Sequence, residues 1–252
     1  MSRPPAVPSP APSRPRRVLI VVPAFNEQSV VGNVVRELAG SVDHDVLVVD
    51  DGSADLTSQV AVAAGARVLT LPFNIGVGGA MRAGFRYAVR KGYDGVVQVD
   101  ADGQHDPSFV PALIDALAGA DVVIGARFAG VGGYQVGYLR RCAMRMLSYG
   151  ISTLAGNRLT DVTSGFRASG PRALGLFAES YPPEYLGDTV ESLVLAHRAG
   201  LSVAQLPVAM RARQAGAPSQ NLPRSVIYLA RAAMILLLAT IRVGPSSPRA
   251  PA

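Results

Sequence analysis

From residue 17 onward, short runs of β-branched and other apolar residues alternate with longer stretches in which apolar positions recur every three or four residues. Val18 to Pro23, Asp45 to Asp50, Arg67 to Leu71, Gly95 to Asp100 and Asp121 to Gly125 are short, nearly continuous and bounded by turn residues, which predicts buried strands. Between them, Gln28 to Ala39, Asp55 to Ala64, Gly78 to Lys91 and Pro107 to Leu117 carry helical periodicity, and Asp106 before Pro107 is a good N-cap with proline at the first helical position. Strands that alternate with helices build βαβ units, and hence a mostly parallel sheet flanked by helices.

After Gly125 the rhythm changes. A helical stretch is expected from about Val136 to Leu154, then a polar segment Asp161 to Arg167, a helix near Glu191 to Ala199 and a strand Ser202 to Met210. Ser225 to Ile241 is apolar all round except for Arg231. At about 1.5 Å per residue it reaches roughly 25 Å, short of a hydrocarbon core of about 30 Å. Three readings of it stand: a core helix, a helix lying in a membrane interface, or a single span. Residues 1–16 hold six prolines and no apolar run that could serve as a secretion signal. The expected organisation is a disordered tail over 1–16, one α/β domain over 17–220, an apolar interfacial helix over 221–243 and a second tail over 244–252.

Composition narrows the chemistry. With 252 residues, 49% hydrophobic and 17% charged, the chain can bury a full core, which excludes wholesale disorder. Cys142 is the only cysteine, so neither an internal disulfide nor a thiolate metal cluster can form, and a reducing compartment fits best. The net charge is +6 and Lys91 is the only lysine, so positive charge is carried by arginine, which grips phosphate with paired hydrogen bonds. Basic residues are not interleaved with aromatics in any nucleic-acid motif, so no nucleic-acid partner is expected.

Three polar clusters fall at or beyond the carboxyl ends of expected strands, where ligands bind in open α/β sheets: Pro23-Ala24-Phe25-Asn26-Glu27, Asp50-Asp51-Gly52-Ser53 and Asp100-Ala101-Asp102-Gly103-Gln104-His105. Asn26, Ser53 or Asp55 alone could simply cap a helix. Together the clusters put several carboxylates on one rim, which repel unless a cation or ligand donors neutralise them. Asp100 and Asp102, two apart in an extended segment, can converge on Mg2+ or Mn2+, with Gln104 in the same phase as a neutral oxygen. His105 falls on the opposite phase and is expected to be structural, as are His44 and His197. The run Asn74-Ile75-Gly76-Val77-Gly78-Gly79-Ala80 could receive an anion or merely let a helix pack closely. It follows the third strand rather than the first, which argues against a dinucleotide fold.

On these residues the sequence resembles the family-2 glycosyltransferases of GT-A fold, and among them the polyprenyl-phosphate and dolichyl-phosphate sugar transferases. The motifs are PAFNE at Pro23 to Glu27, DDGS at Asp50 to Ser53, Asn74 to Gly84 with Met81-Arg82, DADGQH at Asp100 to His105, GARF at Gly125 to Phe128 and DVTSGFRA at Asp161 to Ala168. The resemblance implies that Pro23, Phe25, Asn26, Glu27, Val49 and Asp51, with Asn74, Arg82 and Ala101, hold the nucleotide sugar. It also implies that Asp100 and Asp102 with Gln104 hold the metal, and that Arg127 lies by the phosphates. Arg213 is similar to the family's late phosphate-binding arginine, although Gly216 is followed by Ala217-Pro218-Ser219-Gln220 instead of the usual serine and lysine.

The expected activity is inverting transfer of a hexose from a GDP- or UDP-sugar to a polyprenyl phosphate at the cytoplasmic membrane face, by a peripheral enzyme with a small membrane protein or a second copy as a conceivable partner. A phosphate acceptor is already largely anionic near neutral pH, its second pKa being about 6, so positioning and charge neutralisation dominate. Asp161 is the candidate base or arginine-orienting carboxylate, a turn cap being its ordinary reading, and Arg167 and Arg213 are candidates for the acceptor phosphate. The alternatives are transfer to a saccharide hydroxyl in cell-envelope glycan synthesis, which needs a true base, and a nucleotide-sugar-binding membrane adaptor without turnover.

Overall fold

The structure is a computed structural model that describes residues 15–127, 148, 149, 152, 159–183 and 188–211. Residues 1–14 of the first tail, most of the Val136 to Leu154 stretch, Arg213 and the Ser225 to Ile241 stretch lie outside the described residues. Among the described residues no helix is long and apolar enough to cross a membrane.

Seven strands form one sheet: β1 (Val18–Ala24), β2 (Asp45–Asp50), β3 (Arg67–Thr70), β4 (Gly95–Gln98), β5 (Val122–Ala126), β6 (Arg167–Ser169) and β7 (Val203–Pro207). Their order is β3-β2-β1-β4-β6-β5-β7. β1 pairs in parallel with β2 and β4, β2 with β3, and β5 with β7, whereas β6 runs antiparallel between β4 and β5. The period-2 side-chain alternation explains why β1 is apolar throughout. Leu19 and Val21 join one core with Leu47, Val49, Met81 and Phe85, while Val18, Ile20 and Val22 join the other with Val34, Leu38, Leu113 and Leu117. Among the described residues the named helices are α1 (Val31–Ser41), α2 (Thr57–Ala63), α3 (Val77–Arg90), α4 (Val110–Ala116), α5 (Pro171–Ser180) and α6 (Asp188–Arg198), and α4 is preceded by a 3-10 turn over Pro107–Phe109. The expected cap is present: Asp106 Oδ1 accepts from Ser108 N at 3.0 Å.

Most expected elements are in place, with shifts at their ends. β4 stops at Gln98 because the Asp100 amide turns to the His105 ring. α6 begins at Asp188, three residues before the expected Glu191. The polar segment expected over Asp161 to Arg167 ends in β6, which periodicity cannot reveal in three residues.

Close helix packing is the use made of the glycine-rich run. A Cβ on Gly78 would lie 2.2 Å from the Pro182 carbonyl oxygen and 3.1 Å from Asp188 Cβ, and one on Gly84 would lie 2.6 Å from a Val21 methyl. Gly175 in α5 has open space where a Cβ would go. Gly175→Ala should therefore gain about 0.5–1 kcal/mol from helix propensity. Gly78→Ala should lose about 1–3 kcal/mol through overpacking against backbone. Urea denaturation of the two variants beside the parent checks the opposite signs.

Candidate functional site

The carboxyl ends of β1, β2 and β4 carry all three polar clusters, and the first two are laced together. Asp51 N donates to Ala24 O at 2.9 Å, Asn26 N to Ser53 Oγ at 2.9 Å, and Ala54 N to Asn26 Oδ1 at 2.9 Å. Asn26 reaches this geometry at φ 55°, a conformation asparagine tolerates better than most residues. Glu27 N donates to Thr57 Oγ1 at 2.8 Å, and the Glu27 carbonyl accepts from Val30 and Val31 to start α1. Gly52 sits at φ 74°, where a Cβ would come within 2.6 Å of the Phe73 backbone. Only glycine fits.

Asp50 is buried, accepting Ser53 N at 2.9 Å on one oxygen and Ser58 Oγ on the other. Asp51 is also buried and accepts the amides of Ile75 and Gly76, each at 2.8 Å. Those glycine-rich amides thus hold a carboxylate of the chain itself. Burial pushes the Asp51 carboxyl up while the two amides pull it down. Val49, expected at the base and ribose, has its side chain wholly buried in the core. Pro23 is half-buried, whereas Phe25, Asn26, Phe73, Asn74 and Ile75 line an exposed rim around the ends of β1 and β3. Phe73 was not anticipated, since a lone aromatic in a turn carries no periodic signal. Arg82, expected at the nucleotide sugar, donates through one terminal nitrogen to the Glu179 carbonyl at the end of α5, and its buried Nε has no hydrogen-bond partner among the described residues.

Beyond β4, Asp100 and Asp102 are partly exposed, as is Gln104, while Ala101 is buried. Gln98 Nε2 donates to Asp100 Oδ1 at 3.1 Å and Gln104 N to Asp102 Oδ1 at 3.0 Å. A Cβ on Gly165 would lie 2.7 and 2.9 Å from the two Asp100 oxygens, so glycine leaves that flank of the carboxylate open. Two partly exposed carboxylates and an amide oxygen suit a hard divalent cation, which needs further oxygens from a ligand or water. Among the described residues no three His, Cys, Asp or Glu side chains would hold an ion unaided. The loop is fixed from behind: Arg211 N donates to Gln104 O at 2.9 Å, Met210 bridges His105, and the Arg211 guanidinium joins Glu37 to Asp106.

Of the three arginines expected at phosphates, Arg127 and Arg167 are described and behave differently. Arg127 forms a bidentate pair with Asp161, Nε to Oδ2 at 2.6 Å and a terminal nitrogen to Oδ1 at 2.8 Å, and it also donates to Thr163 Oγ1 at 2.7 Å. Despite its burial, Asp161 is held below the usual carboxylate range by Arg127 and Thr163, so its geometry is that of the arginine-orienting carboxylate rather than the base. Arg167, expected at a phosphate, is buried instead. It donates to the carbonyls of Ser164, Val162 and Thr189 and to Ser192 Oγ, which commits it to the protein interior.

Asp188 is the carboxylate that sequence reading missed, since an aspartate opening a helix looks like a cap. It is buried, and its Oδ2 has no hydrogen-bond partner among the described residues. Burial pushes its pKa up to about 6, with the charge of Asp100 adding to the rise and Arg167 opposing it.

The sequence profile described as "Glycosyl transferase family 2" matches residues 19–174. The chain is 34% identical over 211 residues to the undecaprenyl-phosphate mannosyltransferase of Micrococcus luteus, covering 79% of this chain and 86% of that one. It is 36% identical over 173 residues to the polyprenol monophosphomannose synthase of Mycolicibacterium smegmatis, covering 63% and 64%. Among solved structures it is similar to glucosyl-3-phosphoglycerate synthase from Mycobacterium tuberculosis in complex with Mn2+ and UDP-glucose, with a TM-score of 0.68, 26% identity, and coverage of 89% of this chain and 79% of that one.

A raised carboxylate pKa means that the folded state binds the Asp188 proton more tightly than the unfolded state does. Stability therefore falls as pH rises from the ordinary value of 3.8 through about 6. Asp188→Asn removes this loss. Urea denaturation should find the variant more stable than the parent at pH 7.5 by on the order of 2–3 kcal/mol, with the difference vanishing near pH 4.

Proposed function

The chain belongs to glycosyl transferase family 2, and from that we propose that it transfers a hexose, with inversion, from a GDP- or UDP-sugar to a polyprenyl phosphate at a membrane surface. The observation that carries the reading is the pair Asp100 and Asp102, partly exposed at the carboxyl end of β4 beside the interlaced loops of β1 and β2. The names of the two bacterial relatives favour a lipid phosphate as acceptor. A divalent ion, Mg2+ or Mn2+, held by Asp100, Asp102 and Gln104 would neutralise charge on the departing nucleoside diphosphate.

The chain's own residues then have distinct tasks. The exposed rim of Phe25, Asn26, Phe73 and Asn74 offers the base and ribose an apolar surface with amide groups. Arg127, fixed by two bonds to Asp161, places a positive charge at the end of β5 for a phosphate. An acceptor phosphate oxygen attacks the anomeric carbon as the bond to the diphosphate breaks, and the bonding pair leaves with the nucleotide. A phosphate needs no proton removed at neutral pH, so orientation outweighs base catalysis. Arg213 is assigned to this same phosphate chemistry from the sequence, and Ser225 to Ile241 to the membrane contact.

A second reading has one observation in its favour. Transfer to a hydroxyl would require a base, and Asp188, with its pKa near 6 and an unpartnered oxygen, has the character of one.

Incubation of the purified chain with bacterial membranes and labelled GDP- and UDP-sugars decides between the two. Label should enter the organic lipid extract only with a divalent cation present, and chelation should abolish it. Asp102→Asn should cost at least about a hundredfold in rate, equivalent to about 2.7 kcal/mol. Label appearing in water-soluble glycan instead would establish the hydroxyl reading. Separately, truncation after Pro223 should move the protein from the membrane pellet to the supernatant in a sedimentation assay.

A further inference from the structure

Among the described residues the Asp100 carboxylate faces the Gln98 amide on one side and the His105 ring on the other. Gln98, 4% exposed, gives its amide N–H to Oδ1 at 3.1 Å. On the other side His105, 5% exposed, turns its Nε2 toward Oδ2 at 3.6 Å, the separation of an electrostatic contact rather than of a full hydrogen bond. The other ring nitrogen settles which tautomer faces the carboxylate. Nδ1 lies 3.0 Å from the Asp100 backbone nitrogen, and since a backbone nitrogen can only donate, Nδ1 must be the lone-pair acceptor. The ring proton of neutral His105 is therefore on Nε2. The ring plane is fixed as well, stacked on Phe166 with centroids 4.7 Å apart and planes 12° from parallel. Phe166 follows Gly165, the residue whose missing side chain leaves room beside the same carboxylate.

We infer that His105 is a positioning residue for the cation site, in which the locked Nε2–H tautomer orients the Asp100 carboxylate while leaving its negative charge uncompensated for a divalent ion. This rests on the metal reading of Asp100 and Asp102 above. The chemistry is that of an outer partner which holds a ligand without touching the ion, and loss of such partners costs roughly ten- to a hundredfold in metal affinity. An arginine or lysine in the same place would hold the carboxylate more strongly and compete with the cation for it. The sequence-based expectation that His105 is merely structural is thereby sharpened: its position off the phase of Asp100, Asp102 and Gln104 is what lets it reach the same carboxylate from behind.

Two substitutions separate the halves of the ring. An asparagine oxygen can stand where Nδ1 accepts, and a glutamine amide can stand where Nε2 donates. With the full chain and Mn2+ alone as probe, binding is read from the free-ion electron paramagnetic resonance signal. His105→Asn should weaken Mn2+ binding about tenfold or more, while His105→Gln stays within about threefold of the parent. Phe166→Leu, which removes the stack but not the donor, should also stay within about threefold and serves where an imidazole variant fails to fold. In the metal-free parent, imidazole 15N shifts should report the Nε2–H tautomer. Parental Mn2+ affinity in His105→Asn, equal losses in the asparagine and glutamine variants, or an Nδ1–H tautomer would each overturn the inference. A parent chain that retains no Mn2+ would overturn the underlying metal reading itself.

Discussion

β6 enters the sheet antiparallel between β4 and β5, and its pairing with both holds Gly165 and Phe166 against Asp100 and His105. Without it the two central parallel blocks, β3-β2-β1-β4 and β5-β7, would have no hydrogen-bonded connection. The strand is only three residues long and every one of them is buried, so its place depends on what surrounds it. Gly125 N donates to the Phe166 carbonyl at 2.8 Å just before the strand, and Gly170 N to the Asp121 carbonyl at 2.8 Å just after. Asp121 also accepts from Arg172 and from Ser202, tying α5 and the start of β7 to the same corner. One short insertion thus fixes the positions of both the Asp100–Gln104 loop and the Asp161–Arg127 pair.

Arg127 and Arg167 illustrate how burial divides labour between like side chains. Arg127 is held by a carboxylate from one side and remains at the mouth of the sheet. Arg167 donates to three carbonyls and a hydroxyl and lies close enough to Asp188 to lower the cost of burying that carboxylate's charge. Removing a buried charge of this sort leaves its partners unsatisfied, which is costlier than losing an exposed one.

Much of this was legible in the sequence. β1, β2, β3, β4 and β5 are marked by their apolar runs, and the placement of PAFNE, DDGS and DADGQH after three of them locates the rim. The roles within the rim were less legible, for a physical reason. A motif states which residue types are present but not which of their polar atoms are already used, and Asp51, Arg82 and Arg167 have donors or acceptors committed to neighbours in the chain. Asp188 escaped notice for the converse reason: its chemistry comes from burial against α3, where Gly78 lets the chain approach, and not from any local pattern. β6 was hidden because three residues contain too little periodicity to tell strand from turn.

The lacing of the loop after β1 to the loop after β2 has a thermodynamic consequence. Asn26, Glu27 and Gln28 bond across to Ser53, Ala54, Asp55, Leu56 and Thr57, so the backbone of this rim is already ordered by the folded chain. Immobilising a loop only when a ligand arrives consumes part of the attraction between them, and a rim ordered beforehand avoids that loss. A ligand settling on this rim would still lose its own freedom of motion, but it would not also have to order the two loops.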